Sequence, residues 1–202
     1  MSETYRTVTE PATASFVVQG SEFLGHVRPV ESVDAAEAFV DTVEREYADA
    51  THNVPAYRVR ADSGGEFLRE YSSDDGEPSG SAGKPALNVL DQQDIENCAV
   101  VVTRYYGGTN LGVGGLVRAY SRAVKDAVEE AGIVEERPHE QVEITVEYDD
   151  SGTVRGILES EGLEFDADYE ADVSFRVRVP LAEAEALRDR IRSATSGRAD
   201  LE

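Results

Sequence analysis

Two stretches of the chain concentrate residue types that can do chemistry. The first is the polar run Ser72-Ser-Asp-Asp-Gly-Glu-Pro-Ser-Gly-Ser-Ala-Gly-Lys-Pro85. Asp74, Asp75 and Glu77 crowd it beside Lys84, and His52 is a titratable group upstream that could join them. Paired carboxylates with a nearby base can hold Mg²⁺ or move a proton on a phosphate ester. The same letters are also ordinary turn chemistry on an acidic surface. The second stretch is Tyr105-Tyr-Gly-Gly-Thr-Asn-Leu-Gly-Val-Gly-Gly-Leu116. Gly107, Gly108, Gly112, Gly114 and Gly115 permit positive φ and close backbone approach, and Asn110 lies among them. Peptide N–H groups there, with the positive end of a following helix, make an anion site. Tight packing explains such a loop as well.

Basic residues flank the glycines. Arg104 precedes them, and Arg118, Arg122 and Lys125 follow at spacings that place all three on one helical stripe with Glu129. Two arginines four apart repel unless an anion sits between them; Asp126, four beyond Arg122, is the local alternative partner. Tyr105 or Tyr106 could stack on a base. The glycine spacing matches neither a P-loop nor a dinucleotide fingerprint, so no cofactor is expected. No nucleophile pattern is present and no catalytic residue is assigned. Cys98, the single cysteine, excludes an internal disulfide framework and a cysteine-rich zinc site, and its β-branched surroundings read as core. No metal site is assigned.

The charge balance gives these residues their context. Forty-one Asp and Glu face 19 Lys and Arg, a net charge of −22 over 202 residues. All of the bases except Lys84 and Lys125 are arginine. An acidic, lysine-poor surface on a globular composition suggests a high-salt cytoplasm, where net charge preserves solubility and its self-repulsion is screened; an ordinary acidic protein is the alternative. From Asn97 to Lys125, however, there is no Asp or Glu, and Arg104, Arg118, Arg122 and Lys125 make that window positive. A buried strand and a glycine loop account for missing acids but not for added bases.

Several elements must position these residues. Phe16–Val18 and Phe23–Val30 read as strands turning near Gly20 and Ser21. Ser32 caps a predicted helix whose Val33, Ala36, Phe39, Val43 and Tyr47 recur at helical spacing. Ala56–Arg60 and Glu66–Ser72 read as strands about a turn at Asp62–Gly65. A short helix over Pro85–Gln92, a buried strand over Asn97–Tyr106 and a helix over Leu116–Ala131, stopped by Gly132, follow. The charged, proline-bearing stretch Glu135–Glu140 reads as a linker. Beyond it come a strand over Val142–Tyr148, a helix through Val154, Ile157 and Leu158, strands over Leu163–Tyr169 and Val173–Val179, and a helix from Leu181 to about Arg192. That order suggests a ferredoxin-like domain with a short last strand. The expectation is two α+β domains, 1–137 and 138–202. No apolar run can span a bilayer, no membrane partner is expected, and the N-terminal residues carry no signal pattern, which predicts a cytoplasmic protein.

Asp74-Asp-Gly-Glu-Pro-Ser-Gly-Ser-Ala-Gly-Lys-Pro85 with Leu87, Val89 and Leu90, followed by Arg104-Tyr-Tyr-Gly-Gly-Thr-Asn-Leu-Gly-Val-Gly-Gly-Leu-Val-Arg-Ala-Tyr120, resembles the IMPACT/YigZ family (uncharacterised protein family 0029). His52-Asn-Val-Pro-Ala-Tyr-Arg58 is similar to a third block, with Val54 where members often carry cysteine. The resemblance spans roughly residues 10–132. It implies a first domain like the second domain of ribosomal protein S5, and a C-terminal domain like the fifth domain of elongation factor G. It also suggests contact with RNA or the ribosome. Eukaryotic relatives regulate translation in the amino-acid-starvation response with an added N-terminal RWD domain; the family block here starts too near Met1 for one, so that kinase-pathway role is not carried over.

The expected function is binding of RNA, the ribosome or a translation factor through the glycine loop and arginine stripe. The alternatives are an enzyme acting on a phosphate-bearing ligand through Asp74, Asp75, Glu77 and Lys84, and a protein-interaction adaptor using the same surface.

Overall fold

The structure, a computed structural model, describes residues 4–60 and 67–202. The turn expected at Asp62–Gly65 and the first residue of the strand expected from Glu66 lie outside the described residues. The chain forms two compact units, one over Tyr5–Glu136 and one built on Arg137–Glu202.

In the first unit the strands are β1 (Tyr5–Val8), β2 (Ala12–Val18), β3 (Ser21–Pro29), β4 (His52–Arg60), β5 (Leu68–Ser72), β6 (Cys98–Tyr105) and β7 (Ile133–Glu136). The helices are α1 (Val33–Glu46), α2 (Gly83–Gln92) and α3 (Gly112–Ala131). Five strands make one antiparallel sheet in the order β2-β3-β6-β4-β5, and β1 pairs with β7 beside it. Alternation along β4 and β6 explains why both read as nearly unbroken apolar runs: each is covered on both faces. Val54, Ala56, Cys98, Val100 and Val102 join the core beneath α2 and α3, while Tyr57, Val59, Ala99 and Val101 join the one beneath α1.

Arg58 and Arg60 of β4 both pair with acids. Arg58 is buried, with its guanidinium on Glu70, Asp91 and the carbonyls of Leu90 and Ile95. In α1, Ser32 Oγ accepts from the Ala35 N–H at 3.1 Å, and Ala36, Phe39 and Val43 are buried, the face its periodicity indicates.

Three boundaries differ from expectation. The helix expected from Leu116 starts at Gly112, because four residues of the glycine loop already form its first turn. Glu135–Glu140 is largely strand: β7 pairs with β1, and the next strand starts at His139. β1 and β7 are too short to show periodicity. Tyr148 opens a helix rather than closing a strand, with Asp149 and Asp150 in the first turn where acids suit the dipole.

The second unit runs β8 (His139–Val146), α4 (Tyr148–Ser160), β9 (Phe165–Tyr169), β10 (Val173–Pro180), α5 (Leu181–Ala194) and β11 (Asp200–Leu201). Its antiparallel sheet has the order β11-β8-β10-β9. Val142, Ile144 and Val146 face one core with Phe175, Val177, Val179, Leu158 and Ile191. Arg176 and Arg178 are exposed on the other face, Arg176 opposite Glu143 and Asp166 in register. No described helix is long and apolar enough to cross a membrane.

Candidate functional site

The site grows from one row across the sheet. Register places Arg104 of β6 opposite His52 of β4 on one side and Phe23 of β3 on the other. Residue parity puts Arg104 on the face that carries α2 and α3, where the run 72–85 crosses over it. Arg104 is buried, only 5% exposed, and its Nη1 donates to Glu77 Oε1. Tyr120 of α3 donates its hydroxyl to the same oxygen at 2.8 Å, and His52 Nε2 lies 3.8 Å from Glu77 Oε2. Burial first, and then the Glu77 carboxylate it donates to, push the Tyr120 phenol far above its ordinary value. The Arg104 guanidinium also lies 5.5 Å from the ring centres of both Phe23 and Tyr106.

The carboxylates of the first stretch separate into three roles. Asp74 accepts from the N–H groups of Gly80, Ala82 and Gly83 at 2.8, 3.1 and 2.9 Å, so it caps α2 from nine residues upstream. Desolvation opposes its charge, yet those three donors prevail and hold the carboxyl below its ordinary value. Asp75, at φ 44°, accepts from the Asn53 N–H at 2.7 Å through Oδ2, while its carbonyl meets His52 Nδ1 at 2.6 Å. Glu77 is turned inward onto Arg104. Lys84 is exposed, without a carboxylate partner among the described residues. Among those residues no three His, Cys, Asp or Glu side chains are grouped to hold a metal ion.

The glycine loop lies beside this cluster. Gly107 packs against the β2–β3 turn so closely that a Cβ on it would sit 1.9 Å from the Gly20 carbonyl carbon. Its N–H donates to Ser21 Oγ at 3.1 Å. Gly112, at φ 72°, opens α3, whose first turn carries no side-chain cap and no acid. Gly108, Gly112 and Gly114 are exposed and Gly115 is half-buried. Tyr106 is 46% exposed and donates its hydroxyl to Asn110 Oδ1 at 3.2 Å. Tyr105 instead turns its hydroxyl to Asp49 at 2.9 Å, a bond that raises its pKa.

These parts enclose a cleft of about 470 Å³. Its lining includes His52, Glu77, Arg104 and Tyr106, with Gly112 and Val113 from the start of α3. A second cleft, of about 380 Å³, is lined by Glu37, Asp41, Glu44 and Asp75 and presents negative charge.

The arginine stripe divides. Arg122 bonds Asp126 at 3.2 Å and covers Phe16, its guanidinium 4.0 Å from the ring centre. Arg118 and Lys125 are exposed and have no carboxylate partner among the described residues. Sequence reasoning had Arg104 as one more basic group of the loop; in the fold it is the buried base of the cluster. The tyrosine of the cluster, Tyr120, lies on the buried side of α3, and nothing in its helical spacing signals the Glu77 bond. Val54 is fully buried in the sheet.

Comparisons with known proteins agree across the chain. The Impact N-terminal domain model matches residues 19–128, and a domain of unknown function (DUF1949) matches residues 144–198. The IMPACT family member YvyE of Bacillus subtilis is 33% identical over 202 residues, covering 100% of this chain and 91% of that protein. The IMPACT family member YigZ of Escherichia coli is 35% identical over 173 residues, 85% of this chain and 84% of its own. A solved structure titled as that of a hypothetical protein superposes with a TM-score of 0.72 at 31% identity, covering 100% of this chain and 97% of that one. With both matched domains in order and one relative aligned over the whole chain, the chain belongs to the IMPACT family.

Proposed function

We propose that the chain is a translation-linked RNA-binding module, with the ribosome as its site of action, that grips phosphate through the start of α3 and the basic stripe behind it. The observation that carries this reading is the pairing pattern of the stripe. In a chain of 41 acids, Arg118 and Lys125 stay exposed without a carboxylate among the described residues, beside an uncapped helix start. Backbone N–H groups and the helix dipole favour an anion there, arginine and lysine neutralise neighbouring phosphates, and Tyr106 offers a ring for a base. Family membership supports the link to translation regulation.

The finer labels belong to the same reading. The order β8-α4-β9-β10-α5-β11 supports a ferredoxin-like second domain over 138–202, and we read 1–137 as S5 domain 2-like. The net charge of −22 supports a salt-adapted, cytoplasmic protein.

The test compares wild type with Arg118→Glu/Arg122→Glu, both checked for folding, in ribosome co-sedimentation and binding of structured RNA. Binding that is lost in the variant and weakens with rising salt is expected. A well-folded wild type that binds neither ribosomes nor RNA overturns the reading. Salt-insensitive capture of a translation factor without RNA would favour the adaptor instead.

A further inference from the structure

The cleft beside Tyr106 has a lining suited to a flat, largely apolar ligand. Pro78, Leu111, Val113 and Leu116 contribute apolar surface to it, and its volume of about 470 Å³ lies within the roughly 300–1,000 Å³ of small-molecule pockets. Its charges are already paired. Arg104 donates to Glu77 through Nη1 and to Ser21 Oγ through Nη2, and its Nε is enclosed. With each charge neutralised by the other, the pair favours neither an anion nor a cation, and recognition falls to hydrogen bonds.

Two acceptors remain beside that pair. Glu77 Oε1 accepts from Arg104 and Tyr120, whereas Oε2 accepts no hydrogen bond among the described residues. The side-chain polar atoms that are both enclosed and unpartnered are, among those residues, Ser81 Oγ and Arg104 Nε; Oε2 is not enclosed, so it is open to a donor. The second acceptor is on His52. Its Nδ1 lies 2.6 Å from the Asp75 carbonyl oxygen, which only accepts, so Nδ1 carries the proton and Nε2 of the neutral ring accepts. Nε2 lies 3.8 Å from Glu77 Oε2, and both residues line the cleft. An –NH2 group carries two donors and satisfies both atoms at once. A ring N–H, as in uracil, satisfies one of them and sets a neighbouring carbonyl oxygen against the other.

We infer that the cleft receives an amino-bearing nucleobase, from an unpaired position of RNA or a free nucleoside, with its exocyclic –NH2 shared between Glu77 Oε2 and His52 Nε2. Tyr106, 46% exposed, stacks on the ring of the base. This rests on the RNA-binding reading above and adds a base preference to it: adenine, cytosine and guanine carry such an amine, and uracil does not.

The test measures binding of the intact chain at pH 8 to a short oligouridylate whose central base is uridine, cytidine, adenosine or purine riboside, the last being the adenosine ring without its amine. Free adenosine and free purine riboside serve as small ligands and competitors. Adenosine and cytidine should bind about tenfold more tightly than purine riboside and uridine, the factor for one hydrogen bond to a charged group. In His52→Phe, which keeps a ring but no acceptor, the factor should fall to about threefold. Competition by free adenosine assigns the ligand to the base alone, and discrimination without competition assigns it to the strand. Equal affinity for all four centres, with binding still lost in Arg118→Glu/Arg122→Glu, overturns the inference and leaves the RNA reading standing. A tenfold preference unchanged in a folded His52→Phe also overturns it. Adenosine binding that needs the amine and His52, without binding of any RNA or ribosome, overturns the RNA reading and upholds the cleft. No binding in any arm overturns both. The wild-type comparison of adenosine with purine riboside decides the matter even if His52→Phe fails to fold.

Discussion

Replacing Glu77 by glutamine isolates the charge at the centre of the site. The two side chains of the Arg104–Glu77 pair are 6% and 4% exposed, so neither ion is solvated. Glutamine keeps the shape and one carbonyl oxygen for Tyr120 and Arg104, but leaves the guanidinium without a counter-ion. Removing one partner of a buried pair costs about 3–5 kcal/mol. The low end applies here, because Phe23 and Tyr106 both face the guanidinium and Ser21 Oγ accepts from its Nη2 at 3.4 Å. About 3 kcal/mol, divided by a urea slope of about 2 kcal/mol per M, lowers the unfolding midpoint by about 1.5 M. The readout must belong to the Tyr5–Glu136 unit, so hydrogen exchange of the β6 amides Val100–Val102 accompanies the denaturation curve. The double variant Arg104→Met/Glu77→Gln removes both charges and should recover most of the loss, since no buried ion is then left without a partner. A single variant costing under about 1 kcal/mol, or a double variant no better than the single, refutes the reasoning.

Asp74→Asn keeps one acceptor oxygen at the start of α2 but removes the charge and turns an amide NH2 on a backbone N–H, and should cost about 1–2 kcal/mol at neutral pH. The folded carboxyl is held below its ordinary value, so its contribution is complete above about pH 4 and disappears as pH falls through the folded pKa. Urea midpoints of wild type and variant should therefore differ most at pH 7 and converge toward pH 2. Gly107→Ala should lower stability by about 3 kcal/mol, because the Cβ meets Gly20 backbone that cannot move aside; calorimetry checks it against Gly112→Ala, where only the positive φ opposes the change and the loss is about 1 kcal/mol. Cys98 is fully buried and burial pushes its thiol far up, so a disulfide-exchange reagent at pH 8 should leave the folded protein unmodified and react completely in urea.

The parts of the fold that were legible in sequence are those that carry a period. Val142, Ile144 and Val146 alternate, Ala36, Phe39 and Val43 recur at helical spacing, and all six are buried as that spacing requires. β1 and β7 were not legible, because four-residue strands show no period and their pairing, Tyr5 opposite Glu136, joins the two ends of the unit. The helix start was hidden for a different reason. Glycine is a poor helix former, so Gly112, Gly114 and Gly115 read as loop, although tertiary packing of Leu116, Ala119 and Tyr120 carries the helix back through them.

The candidate site shows the same division between local and long-range information. Spacing alone placed Arg118, Arg122 and Lys125 on one stripe and named Asp126 as the local partner of Arg122, a bond the structure contains. Which arginine would be buried was set by strand register, where His52, Arg104 and Phe23 fall in one row, and register is not written in any short motif. The acidic loop resolves by the same logic. Backbone N–H groups at the start of a helix need acceptors as much as any ligand does, and Asp74 supplies one to α2 while Asp75 supplies another to Asn53. Those two carboxylates hold the run in place, Glu77 neutralises Arg104, and the N-cap of α3 makes no side-chain hydrogen bond. A loop that spends its acids on α2 and on the buried arginine places none of them at the start of α3.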